Sequence, residues 1–371
     1  MRGRAGLFRV VMVAVVIIIG LGMLASRLYT AWLWFQNLQF SSVFLTVLIS
    51  KILIGLAAAL VFLLVVGINY YVARLYVKKA HPINKEKAGI SIEGLPPISE
   101  KAVGWAIGAF VIIIALMIGS AASTKWSMIL RYLHPKLFGI SDPIFGRDVA
   151  FYVFSLPFYL FLKSWIMGFI LFSGVVAFLV YSLGNLITME GGATPAQGRE
   201  LLSSLRLRVD PPAWKHLSIV GMIIVALLIW GYRLKIYELM YSTQGPAFGA
   251  SYTDIHVQWV AYIILMVVFG AFAIFLAANM VRQRKVALLV GLAITLATMV
   301  VVGSIIPSLV QTIIVKPNEL ERERRYIAYN IENTRRAYNL DRIREKDFIV
   351  NENLTMADIV KNRMTIENIR I

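Results

Sequence analysis

The sequence predicts an all-α integral membrane protein: a bundle of seven transmembrane helices with aromatic interfacial segments and a short extracytoplasmic α-helical tail. Three observations predict it. The 371 residues are 59% hydrophobic and only 15% charged, against roughly 45–50% and about 25% in soluble chains. Seven apolar stretches approach the ~20 residues that cross a bilayer as helix. The lysines and arginines lie in short clusters between those stretches.

That last pattern decides how the net charge of +17 is read. A nucleic-acid binder collects its basic residues on one soluble face, whereas charges that flank apolar runs report topology. No nucleic-acid partner is expected, and the partner that composition demands is the lipid bilayer. The absence of cysteine excludes disulfides, thiolate metal sites and cysteine nucleophiles.

The expected spans are Leu7–Ala25, Ile52–Ala73, Ala102–Ala122, Ser164–Ile187, Leu217–Tyr232, Val257–Asn279 and Val286–Ile306. Arg2, Arg4 and Arg9 ahead of the first run also fit the opening of a secretory signal. The run is long and Arg27 follows it, so it is read as a retained span. The fifth is short unless Trp214 to His216 are included. With the N-terminus cytoplasmic, the inner segments carry sixteen basic residues, among them Arg74, Lys78, Lys79, Arg206, Arg208 and Arg282. The outer ones carry seven, among them Lys125, Arg131 and Arg147. The positive-inside bias then predicts a multi-pass protein of the cell membrane, N-terminus inside and C-terminus outside.

No Asp or Glu lies in any expected span, which counts against ion-coupled transport. Lys51 and Lys163 sit at the outer margins of the second and fourth spans, where long side chains snorkel, and are read as interfacial anchors. Asn69, Asn185 and Asn279 lie near inner ends, where amides hydrogen-bond neighbouring helices. Gly104, Gly108, Ala115 and Gly119 in the third span read as a helix–helix face.

Two aromatic stretches, Tyr29–Phe40 and Phe151–Phe161, each precede a lysine and an inward-running span. Internal repetition of the kind seen in transporters and a simple aromatic belt both account for that rhythm. The loop Arg74–Lys101 is too short and polar for a core of its own. The loop Thr188–Lys215 reads the same way, with Arg199 to Arg208 suited to lie along anionic head groups.

On the outer side, Asp142, Arg147 and Asp148 share one connection and Asp254 and His256 the next. Carboxylate and imidazole groups converging over one mouth would suit a cation or acid–base chemistry, but no spacing here is a metal motif. Solvated or capping loop residues are the simpler reading. No nucleotide loop, metalloprotease helix or serine elbow is present, and no cofactor is expected.

Past Ile306 the seventh helix is expected to run on to Val315, kinked at Pro307, and to break at Lys316-Pro-Asn318. Asn318 with Glu321 fits an N-cap and its capping-box partner. Ile327, Ile331 and Tyr338 mark the apolar stripe of the following helix, which Asn339 ends in left-handed conformation. A short Thr355–Val360 helix and an unpaired strand over Thr365–Ile371 follow Asp347–Val350. Residues 1–315 are therefore expected to form the transmembrane domain, and 316–371 the start of an extracytoplasmic domain that needs more chain to bury a core.

Three stretches carry a resemblance: Asp142-Pro-Ile-Phe-Gly-Arg-Asp-Val-Ala-Phe-Tyr-Val-Phe-Ser-Leu-Pro-Phe-Tyr159, Gly249-Ala-Ser-Tyr-Thr-Asp-Ile-His-Val-Gln258, and Lys316-Pro-Asn-Glu-Leu-Glu with Tyr326-Ile-Ala-Tyr-Asn-Ile and Thr334-Arg-Arg-Ala-Tyr338. In these the chain resembles uncharacterised protein family 0182, large bacterial multi-pass membrane proteins. The resemblance implies about seven N-terminal spans and a large extracytoplasmic C-terminal domain, with no assigned activity. Arg325 and Asn339 depart from it, where the family usually shows proline and glycine. The foremost functional expectation is a membrane anchor or scaffold, with a homo-oligomer or an envelope protein as partner. Handling of a lipid or other amphipathic envelope component comes second, and an outer-surface enzyme on a lipid-linked substrate third.

Overall fold

A computed structural model describes residues 2–80, 100–191, 205–344 and 355–369. Long helices dominate: α1 (Arg2–Asn37), α2 (Ser41–Ala80), α3 (Glu100–Ser123), α4 (Trp126–Leu133), α5 (Leu156–Leu183), α6 (Pro211–Glu238), α7 (Trp259–Arg282) and α8 (Lys285–Val300). Among the described residues six helices are long and apolar enough to cross a membrane. A seventh crossing results if α3 and α4, bent by 58° at their junction, count as one span. This is a helical membrane protein.

The helices pack in the lateral order α3, α2, α5, α6, α7, α8, with α1 held to α2 by Trp32 and Phe35 against Phe44. Phe62 and Val66 of α2, Ala115 of α3 and Phe169 of α5 form one buried core. Val225 and Tyr232 of α6 with Leu265, Phe269 and Phe272 of α7 form another. Outward faces stay apolar, as with Ile18 at 67% exposure and Leu116 at 65%, which is what hydrocarbon solvent demands.

The small residues of α3 are used unequally. A Cβ on Gly119 would stand 2.6 Å from the Gly55 carbonyl oxygen of α2, so the two backbones meet there, and Ala115 is buried beside them. Gly108 faces open space, and the Gly104 side of the stripe lies outside the residues whose surroundings are described.

The fifth span is no shorter than its neighbours. Pro211 and Pro212 open α6, where a missing amide hydrogen costs nothing, and Trp214 to His216 lie inside it. His216 then meets Tyr181 of α5 (Oη to Nδ1, 2.7 Å) and Asn69 of α2 (Nε2 to Oδ1, 3.1 Å). Because the Asn69 amide nitrogen donates to the Val65 carbonyl, its oxygen is the acceptor toward His216, and Nε2 of the imidazole donates to it. Asn69 thus links helices as expected. Asn279 instead closes its own turn: its side chain pairs with the Arg284 backbone while its carbonyl accepts the Trp214 indole. Asn185 takes left-handed backbone, φ 56°, just past α5.

A loop was expected over Thr188–Lys215, but β1 (Ile187–Gly191) and β2 (Leu205–Val209) pair antiparallel there, Ile187 opposite Val209. The two aromatic stretches also differ locally. The first ends α1 and turns into α2, whereas the second is a π-helical turn, Phe151–Ser155, running straight into α5.

Helical turns of one kind or another run from Lys285 to Ala337, 53 residues, and as expected the regular helix gives way at Lys316-Pro-Asn318, where Asn318 leaves helical dihedrals (φ −126°, ψ 42°). Wide turns at Val301–Ile305 and Gln311–Val315 flank α9 (Ile306–Val310). Gln258 Nε2 donates to the Gly303 carbonyl (3.2 Å), the acceptor that Pro307, four residues on and without an amide hydrogen, leaves open. Pro317 sits in a tight turn, Lys316–Asn318, leading into α10 (Glu319–Ala337). Asn318 stands at the N-cap position but makes no side-chain cap.

Asn339 is left-handed as expected, φ 60°. The capping box occurs at Thr355 and Asp358, opening α11 (Met356–Lys361). Residues 365–367, the start of the expected terminal strand, fall in α12 (Arg363–Glu367), and Asp347–Val350, Arg370 and Ile371 lie outside the described residues.

Candidate functional site

The loop from α4 to α5, the loop from α6 to α7, and α10 meet at one end of the bundle. Each contains one of the three stretches quoted above, and between them lies a cavity of about 690 Å³.

Asp142 builds the first wall. Its carboxylate accepts the amides of Ile144, Phe145 and Arg147 and the Tyr152 hydroxyl (2.9 Å). The loop curls round it because Gly146, φ 66°, supplies the left-handed turn that a side chain resists. Asp148 accepts the amides of Phe138, Gly139 and Ala150. Chiefly through Ala150, these bonds hold its carboxyl below the usual aspartate range. Arg147 is exposed, its guanidinium 5.5 Å from the Phe151 ring centre and 5.8 Å from that of Tyr237.

In the second wall, Ser251 and Asp254 bond reciprocally, the Ser251 hydroxyl and amide donating to Asp254 Oδ2 at 2.7 and 2.9 Å. This closes the turn ahead of α7, a π-helical turn over Asp254–Gln258. His256 is exposed, its ring tilted 35° against that of Tyr252 with ring centres 4.3 Å apart, and its Nε2 lies 3.3 Å from the Tyr326 hydroxyl.

The five outer residues therefore do not converge. Asp142 lines the cavity, while Arg147, Asp148, Asp254 and His256 do not. Lys51 is exposed on α2. Lys163 lies along α6, with its Nζ 3.5 Å from where a Cβ on Gly231 would stand. Among the described residues no three His, Asp or Glu side chains are grouped to hold a metal ion.

Sequence reasoning passed over the third wall. Glu323 is 1% exposed, and both its oxygens accept the Tyr252 amide, at 3.1 and 3.0 Å. Burial pushes its carboxyl above the ordinary glutamate value, and the charges of Asp254 and Glu319 add to the shift against the Tyr252 bond. Asn330 donates to the Phe248 carbonyl at 2.8 Å, and Tyr326 and Ile327 line the cavity. The docking face of α10 is thus Glu323, Tyr326, Ile327 and Asn330. Ile331 and Tyr338 of the expected stripe are 49% and 75% exposed. The available signal was Glu323 itself, one helical turn before Ile327, an acid in line with an apolar position.

A profile of the Uncharacterised protein family (UPF0182) matches residues 8–371. The chain belongs to this family. It is similar to a UPF0182 protein of Desulforamulus reducens, 34% identical over 360 residues, covering 93% of this chain and 37% of the relative. UPF0182 proteins of Pelotomaculum thermopropionicum (33% identical; 96% of this chain, 38% of the relative) and Thermobifida fusca (31%; 99% and 35%) resemble it equally broadly. The chain spans a little over a third of the length of these UPF0182 relatives. No solved structure matches it.

Proposed function

We propose that this UPF0182 chain is a cell-membrane anchor that holds an extracytoplasmic domain, and the envelope partners or second copies bound to it, in fixed orientation. The observation that carries this reading is the 53-residue run of helical turns from Lys285 to Ala337, which joins the last apolar span to the polar helix α10 through the single tight turn Lys316–Asn318. At 1.5 Å per residue the 19 residues of α10 add about 28 Å of helix beyond that turn. This polar helix is docked onto the bundle through Glu323, Asn330 and Tyr326. A shaft fixed at its base transmits the orientation of the bundle to whatever follows.

The cysteine-free sequence makes the test clean. An impermeant maleimide applied to intact cells is expected to label Glu332→Cys but not Lys79→Cys. Spin labels at Lys125→Cys and Glu332→Cys are expected to give one narrow distance distribution. Labelling of Lys79→Cys alone, or a broad distribution, overturns the reading.

A further inference from the structure

We propose that the cavity between the two loops and α10 binds a single-chain amphiphile whose head group donates hydrogen bonds and bears no negative charge: a long-chain alcohol or amine drawn from the membrane. This goes beyond the anchoring role and stands or falls separately from it.

The volume, about 690 Å³, is that of pockets that enclose small ligands. Most of the wall is hydrocarbon, including Ile140, Val149, Met240 and Ile327. Phe138 and Phe248 line it and are 52% and 63% exposed, an apolar rim at the bundle end where the aromatic stretches gather. A chain leaving the bilayer loses no apolar burial on entering such a site.

Polarity inside is one-sided. Asp142 and Glu323 both line the cavity, and the cation in its described wall, Arg336, is exposed and paired with Glu332 at 3.0 Å. An anionic head would therefore face two carboxylates against one surface guanidinium that is already engaged. The two acids differ in what they have left to offer. An ionised carboxylate has about four acceptor positions, and Asp142 has four donors. Glu323 has one, the Tyr252 amide, and among the described residues no cation pairs with it. A buried acceptor with unused positions favours a ligand hydroxyl or ammonium that fills them.

The test uses the full chain in lipid nanodiscs with a diazirine-bearing dodecanol, the adducts being mapped by mass spectrometry. Adducts are expected on residues 138–152, 240–251 and 323–337. Unlabelled dodecanol or dodecylamine should suppress them at concentrations at least tenfold lower than dodecanoate, and the better of the two identifies the head. Filling the cavity from either wall, with Ile327→Trp or Ala247→Trp, should reduce labelling more than tenfold, while Ile331→Trp on the exposed side of α10 leaves it unchanged. A filling variant is scored when its thermal unfolding midpoint matches the parent's. Adducts confined to the lipid-facing spans, equal competition by dodecanoate, or full labelling of a folded filled variant each overturn the proposal.

Discussion

Glu323 of α10 receives the backbone amide of Tyr252 on both carboxylate oxygens, joining segments 71 residues apart in sequence. The bond is the hinge pin of the docked helix. It leaves an acid at the cavity wall whose ionisation is opposed by burial, so docking depends on pH. A carboxyl raised in the folded state binds more protons than in the undocked chain throughout the window between its ordinary and its raised value. Docking is strongest below that window and weakens as pH rises through it. Spin-label distances between Lys125→Cys and Glu332→Cys should broaden across that rise in the parent and stay constant with pH in Glu323→Gln, which keeps an acceptor for Tyr252 without a charge.

Asp148 has the opposite sign. Its carboxyl is held low by the Ala150, Phe138 and Gly139 amides, so it stabilises the loop above the ordinary aspartate value and that contribution is lost as pH falls through the lowered one. The protection factors of the Gly139 and Ala150 amides, taken relative to intrinsic exchange at each pH, should fall on acidification in the parent and be low at every pH in Asp148→Ala.

Asp142→Ala strips four donors of one acceptor, three of them backbone amides. Unsatisfied buried donors cost about 1–3 kcal/mol each and partial rehydration returns some of it; a net loss of about 2–4 kcal/mol is expected. Trypsin cleavage after Arg147, slow in the parent, should become rapid; an unchanged rate would refute this role for Asp142.

Gly119→Leu forces a side chain into the Gly55 carbonyl of α2. Overpacking of this kind costs about 1–3 kcal/mol, read as a lower unfolding midpoint in detergent. Gly108→Leu, facing open space on the same helix, should leave the midpoint unchanged.

His216→Leu removes the group that satisfies both Tyr181 and Asn69. Hydrogen bonds between membrane helices contribute about 0.6–2 kcal/mol, so a loss of about 1–2 kcal/mol is expected. Tyr181→Phe, which leaves the Asn69 bond in place, should cost less, and the double variant no more than His216→Leu alone.

The sequence by itself determined that the chain is helical and lives in lipid, because length and apolarity of a segment are local quantities. It also named the three stretches from Asp142, Gly249 and Lys316 that meet at the cavity, and the left-handed stop at Asn339. What it could not assign was which polar groups face each other. Glu323 and Tyr252, or His216, Tyr181 and Asn69, are paired only by helix packing across 35 to 147 residues of sequence.

Local rules likewise put a break at Pro317, where a tight turn does form, and a side-chain cap at Asn318, which does not. The carbonyl that Pro307 leaves open is taken by Gln258 from the turn that enters α7, and contacts to the 240–252 loop hold α10 in place. The outer acids show the same division. Their types were visible in sequence, but folding gave Asp142, Asp148 and Asp254 donors from nearby residues, whereas the donor to Glu323 comes from a distant loop.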